Sequence, residues 1–91
     1  MNKIEELLTI TMEECGEVTQ ACSKIMRFGQ SQKNLDSLED EIGDMLCMID
    51  LLHEYDLIRW RSIEERAGIK REKLKKYSSL INQPNDEFEI D

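Results

Sequence analysis

Residues 13–29 read EECGEVTQACSKIMRFG, and this stretch decides the fold. Its apolar residues do not alternate, so it is not a strand. With Leu8 and Met12 (or Thr11) ahead of it, Cys15, Val18, Cys22 and Ile25 recur at steps of three and four. That period predicts an amphipathic helix from about Lys3 to Phe28. Gly29 supplies a C-cap, and Arg27 places a cation in the last turn, where the helix dipole favours it. Gln30 to Leu35 is polar and predicts a loop.

Residues 38–52, LEDEIGDMLCMIDLL, repeat the pattern. A second helix is expected to open at Asp36 or Ser37, because Asp36 and Glu39 have capping-box spacing. Its apolar face runs Leu38, Ile42, Met45 or Leu46, Ile49 and Leu52, and it ends near Tyr55. A third helix is expected after Asp56, at Ser62, where Ser62 and Glu65 fit a capping box. Ile63, Ala67, Leu74, Tyr77 and Ile81 share a face there, with Lys70 where an apolar residue is expected. Gly68 is a point of weakness or a kink. No period-two segment competes, so the fold class is all-α: an antiparallel helical hairpin plus a C-terminal helix. Residues 1–82 form one domain, and residues 83–91 an acidic, flexible tail.

The chain has 91 residues and a formal net charge of −8. One domain of this length has a thin core, so association is expected, the hairpins of two copies making a four-helix bundle. No stretch approaches the ~18 apolar residues of a membrane helix. The start, MNKIEELL, is too acidic for a signal peptide, and the expected location is the cytoplasm. Cys15, Cys22 and Cys47 show no CxxC, and with one histidine a zinc site is not expected; they read as reduced core thiols. The acidic balance excludes long nucleic acids, which need a broad basic face. The charge is uneven, however: −9 over residues 1–58, +5 over 59–83 and −4 over 84–91.

The chemistry lies in two acidic clusters, Glu13-Glu14-Cys15-Gly16-Glu17 and Glu41-Ile42-Gly43-Asp44. Residues three apart share a helix face, so Glu14 projects with Glu17 and Glu41 with Asp44. Antiparallel packing brings the two pairs together if the helices cross at that height. Carboxylates gathered beside an apolar seam must stay protonated or bind cations. Oxygen-only ligands select a hard ion such as Mg²⁺ or Mn²⁺. Gly16 and Gly43 interrupt the helices at roughly 0.5–1 kcal/mol each against Ala, which suggests close approach of a helix or ligand. The plain alternative is a solvated acidic face.

The pattern EExxE, 23 intervening residues and ExxD resembles the signature of the all-α nucleoside triphosphate pyrophosphohydrolases, the MazG-like family. The resemblance is close over residues 5–55 and weaker over 60–81, where KREKLKKYS resembles the basic last helix of short MazG-like proteins. It implies Mg²⁺-dependent hydrolysis of a nucleoside triphosphate (a dNTP) between the α and β phosphates, giving a monophosphate and pyrophosphate. By position it implies Glu14, Glu17, Glu41 and Asp44 as metal ligands. Glu13 completes the motif as a catalytic residue, orienting the attacking water or pairing with a basic residue; Asp40 is the runner-up ligand but points away from the Glu41 and Asp44 face. The resemblance also implies a homodimer or homotetramer. Such a reaction needs charge neutralisation and positioning, with a metal-activated water as nucleophile. His53 reads as a surface or packing residue. Lys24, Lys70 and Lys73 are candidate phosphate contacts; the alternative for Lys70 is a phase shift to the surface at Gly68. A phosphoribosyl-ATP pyrophosphatase-like hydrolase and a non-catalytic acidic interaction module are the competing functions.

Overall fold

The computed structural model describes residues 1–81. It contains α1 (Lys3–Phe28), α2 (Gln32–Glu54) and α3 (Trp60–Tyr77). The chain forms two compact units, Met1–Leu57 and Ile58–Asp91. The expected tail, residues 83–91, lies outside the described residues. Among the described residues no helix is long and apolar enough to cross a membrane.

The first unit is the hairpin of α1 and α2. Asn2 caps α1 by accepting from the Glu5 amide, and the Glu5 carboxylate accepts from the Asn2 amide in return. Gly29 ends the helix at φ +94°, a backbone conformation that favours glycine. Only Gln30 separates it from the Ser31 N-cap, so the helices must run antiparallel.

The start of α2 corrects the expectation. The cap is Ser31, whose hydroxyl accepts from the Asn34 amide at 3.2 Å, not Asp36 or Ser37. Asp36 already lies inside the helix, accepting from Gln32 Nε2 at 2.8 Å. The polar run from Gln32 therefore forms the first turn of α2 rather than a loop.

The seam corrects a second expectation. Buried and half-buried positions on α1 include Leu7, Thr11, Glu14, Val18, Ala21 and Ile25, which form the seam, with Thr9, Ile10 and Ser23 beside them. On α2 they include Leu38, Glu41, Met45, Met48 and Leu52. Only Leu7, Ala21 and Met48 are fully buried. Of the expected stripe, Val18, Ile25 and the alternative Thr11 lie in the seam, but Leu8, Met12, Cys15 and Cys22 are offset from it by one residue and stay exposed, as do Ile42 and Leu46. All three cysteines are free, as expected, but exposed rather than in the core. Cys15 Sγ donates to Met45 Sδ at 3.8 Å, which fixes the height at which the helices pair.

Neither Gly16 nor Gly43 serves close helix approach within the chain, because a Cβ at either would meet nothing within 4 Å. In the second unit α3 starts at Trp60, not Ser62. Its N-cap Arg59 makes no side-chain cap bond, and the helix runs unbroken through Gly68. It has no buried residue. Its ion pairs, Arg61–Glu65 at 3.4 Å and Lys75–Glu72 at 2.9 Å, are largely exposed and contribute little.

Candidate metal centre

Two of the seam positions are carboxylates. Glu14 on α1 and Glu41 on α2 stand where the pattern around them places apolar side chains, and both are half-buried. Asp44, one turn beyond Glu41, joins them. One carboxylate oxygen from each of Glu14, Glu41 and Asp44 falls within 4.8 Å of the others. Glu17 stands outside that trio, but its charge reaches both Glu14 and Glu41.

The electrostatics follow from this placement. Desolvation against the facing helix raises the Glu14 carboxyl above its usual 4.5, and Asp44, Glu17 and Glu13 push the same way. Desolvation likewise raises Glu41, followed by Glu17, Asp44, Glu14 and Asp40. Among the described residues no lysine or arginine pairs with these acids. Glu14 Oε2 is buried and has no hydrogen-bond partner. Buried polar atoms are normally satisfied, so an orphan oxygen beside two further carboxylates suits the role of a cation ligand. Three clustered oxygen donors, with no sulfur or imidazole among them, suit a hard divalent ion.

A pH dependence follows. A carboxyl raised by folding binds its proton more tightly in the native state than in the unfolded chain. Stability of the metal-free protein therefore falls as pH rises from about 4.5 through the raised values and then levels off. Melting temperature without metal is expected to be higher near pH 5 than near pH 8, and Mg²⁺ or Mn²⁺ should close that gap, since the ligands bind metal deprotonated. A melting profile indifferent to both pH and metal would count against the centre.

The other residues singled out from sequence are spread more widely. Glu13 is exposed beside Glu14, and Asp40 is exposed on α2. Lys24 is exposed on α1; Lys70 and Lys73 are exposed on α3, in the other unit. His53 is exposed in the last turn of α2. A feature that sequence reasoning missed is an open cleft of the hairpin lined by Lys3, Glu6, Leu7, Ile10, Met48, Leu51 and Tyr55. Its signal was the i,i+3 relation of Leu7 to Ile10 and of Met48 to Leu51, which matches that of the paired acids.

A strandless helical hairpin with oxygen-only acids across its seam defines a class of all-α proteins with a candidate divalent-cation centre. Within that class the chain belongs to the MazG family: the MazG nucleotide pyrophosphohydrolase domain matches residues 2–75. Comparison with curated proteins and with solved structures gives no match. Membership supports nucleotide pyrophosphohydrolase activity as the general function.

Proposed function

We propose that this protein hydrolyses a nucleoside triphosphate, a dNTP, between the α and β phosphates to a monophosphate and pyrophosphate. The carrying observation is the Glu14, Glu41 and Asp44 cluster with its orphaned Glu14 oxygen. Glu17 completes the ligand set. A bound Mg²⁺, or Mn²⁺, supplies charge neutralisation for the triphosphate and makes water a better nucleophile. The chain's own part is positional: four carboxylates on two rigid helices fix where the phosphates sit. Glu13, beside the cluster and open to solvent, orients the attacking water and accepts its proton. Water adds an oxygen to phosphorus as the α–β bridging bond breaks, and pyrophosphate leaves with the bridging oxygen.

We propose Lys24, Lys70 and Lys73 as phosphate contacts on their positive charge. We also assign the working protein to a homo-oligomer, a dimer or tetramer, in the cytoplasm, because the hairpin leaves Leu8, Met12, Ile42 and Leu46 between 44% and 67% exposed. The test is a set of NTPs and dNTPs, each incubated with and without Mg²⁺ and scored for monophosphate and pyrophosphate. Metal-dependent release of both products in equal amounts is expected. Release of phosphate instead, or no turnover of any nucleotide, would overturn the reading; no turnover combined with no metal binding would favour the acidic interaction module.

A further inference from the structure

On an α-helix a side chain three residues further on is turned about 60° to one side of the first. Glu17 stands in that relation to Glu14, and Asp44 to Glu41. In antiparallel helices the two turns carry both side chains to the same side of the hairpin. Ile10 stands in the same relation to Leu7, and Leu51 to Met48. The second group therefore opens on the side that carries the acids.

A cleft of about 290 Å³ lies there, at the small end of the range for small-molecule sites. Its floor is Leu7 and Met48, 5% and 7% exposed. Ile10 lines it from α1 and Leu51 from α2, Tyr55 adds a ring to the lining, and Lys3 and Glu6 supply the polar groups. Ile10 precedes Glu17 by seven residues and Leu51 follows Asp44 by seven, which separates cleft and acids by about 10 Å along both helices. That matches the reach of a nucleotide from its α-phosphate to its base. An aliphatic side chain from each helix suits a flat ring. Lys3 donates and Glu6 accepts, so the polar pair suits a ring edge that carries both an acceptor and a donor.

We propose that this cleft is the subsite for the nucleobase of the triphosphate, with Ile10 and Leu51 setting base selectivity and Lys3 and Glu6 reading the base edge. The proposal rests on the pyrophosphohydrolase reading above. It places the triphosphate along the hairpin, base toward the start of α1 and phosphates toward the acids.

The test uses the full chain with methyl-labelled methionine and Mn²⁺-free, Mg²⁺-containing buffer. Non-hydrolysable α,β-methylene dNTPs are compared with inorganic tripolyphosphate, which has no base. The Met48 methyl resonance is expected to shift with the nucleotides and to stay in place with tripolyphosphate. Leu51→Trp, which fills the slot, is expected to raise KM for nucleotides by at least about 10-fold while leaving Mg²⁺ and tripolyphosphate affinity unchanged. Leu51→Ala should alter the ranking among the four dNTPs. If the protein turns over nucleotides while Met48 stays silent to all of them, the cleft assignment falls and the function stands. If it neither binds nor turns over any nucleotide, the function falls and the assignment with it. Should Leu51→Trp fail to fold, the Met48 resonance of the unaltered chain decides.

Discussion

Glu41→Gln is expected to cut pyrophosphate release by at least about 100-fold, because loss of an outer partner of a metal ligand already costs about 10–100-fold and a direct ligand costs more. The same change is expected to stabilise the metal-free protein. In the fold the Glu41 carboxyl is raised above its usual 4.5 by desolvation first and by Glu17, Asp44, Glu14 and Asp40 after it. Above that raised value the charge opposes folding. Gln is nearly isosteric and always neutral, so it removes the opposition at neutral pH. The gain should vanish below about pH 4.5, where the native and unfolded carboxyls are both protonated. Melting temperature should therefore rise near pH 7 and stay level near pH 4, while Mg²⁺ no longer raises it. This pairing of lost activity with gained stability separates a ligand from a packing residue, for which both would fall together. A Glu41→Gln protein that keeps Mg²⁺-dependent turnover within a few-fold would remove Glu41 from the ligand set.

The cluster was legible in sequence for a physical reason. Two i,i+3 acid pairs on consecutive helices come to the same side of an antiparallel hairpin if the loop is short, and Gly29, Gln30 and Ser31 make it short; three of the four acids gather, and Glu17 stands outside the trio. The boundaries of α1 were equally legible, since Asn2 and Gly29 are strong caps. The start of α2 was not, because the capping-box spacing at Asp36 drew the expected start five residues beyond the actual cap. Asp36 offered the fuller capping box, but Ser31 caps the helix, and Gln32 holds the extra turn through Asp36. In α3 the box at Ser62 gave way to a start at Trp60. The seam was misread by one residue because α1 carries two apolar stripes side by side. Leu7 and Leu8 are both apolar, so periodicity could not choose between them. The structure chose the stripe that contains Glu14, against hydropathy, and that choice buries the acid. The i,i+3 signal of the cleft at Ile10 and Leu51 was missed for the same reason, since its floor, Leu7 and Met48, belongs to the buried stripe.

The exposed stripe carries the second large effect. A step of one residue from the seam turns α1 and α2 side chains to the same side of the hairpin, opposite the acids. Leu8, Met12, Cys15, Cys22 and Met26 lie there on α1, and Ile42, Leu46 and Ile49 on α2. Leu8 is 44%, Ile42 49% and Leu46 54% exposed, while the hairpin fully buries only three residues of its own. An apolar face of that extent beside so small a core fits the association proposed above. A second hairpin laid face to face on it would complete a four-helix bundle. Leu46→Glu places one unpaired carboxylate from each copy in that layer. Losing two buried leucines removes about 1.5–3 kcal/mol each, so the dimer dissociation constant should rise by on the order of 100-fold or more. Sedimentation at micromolar concentration should show the wild-type chain as a dimer or tetramer and Leu46→Glu as a monomer with a lower, concentration-independent melting temperature. Because the monomer retains only Leu7, Ala21 and Met48 as core, the carboxylates lose the rigid seam that holds them, and turnover should fall with the oligomer. A wild-type chain that sediments as a fully active monomer would refute the shared bundle and leave the apolar face without a role in this chemistry.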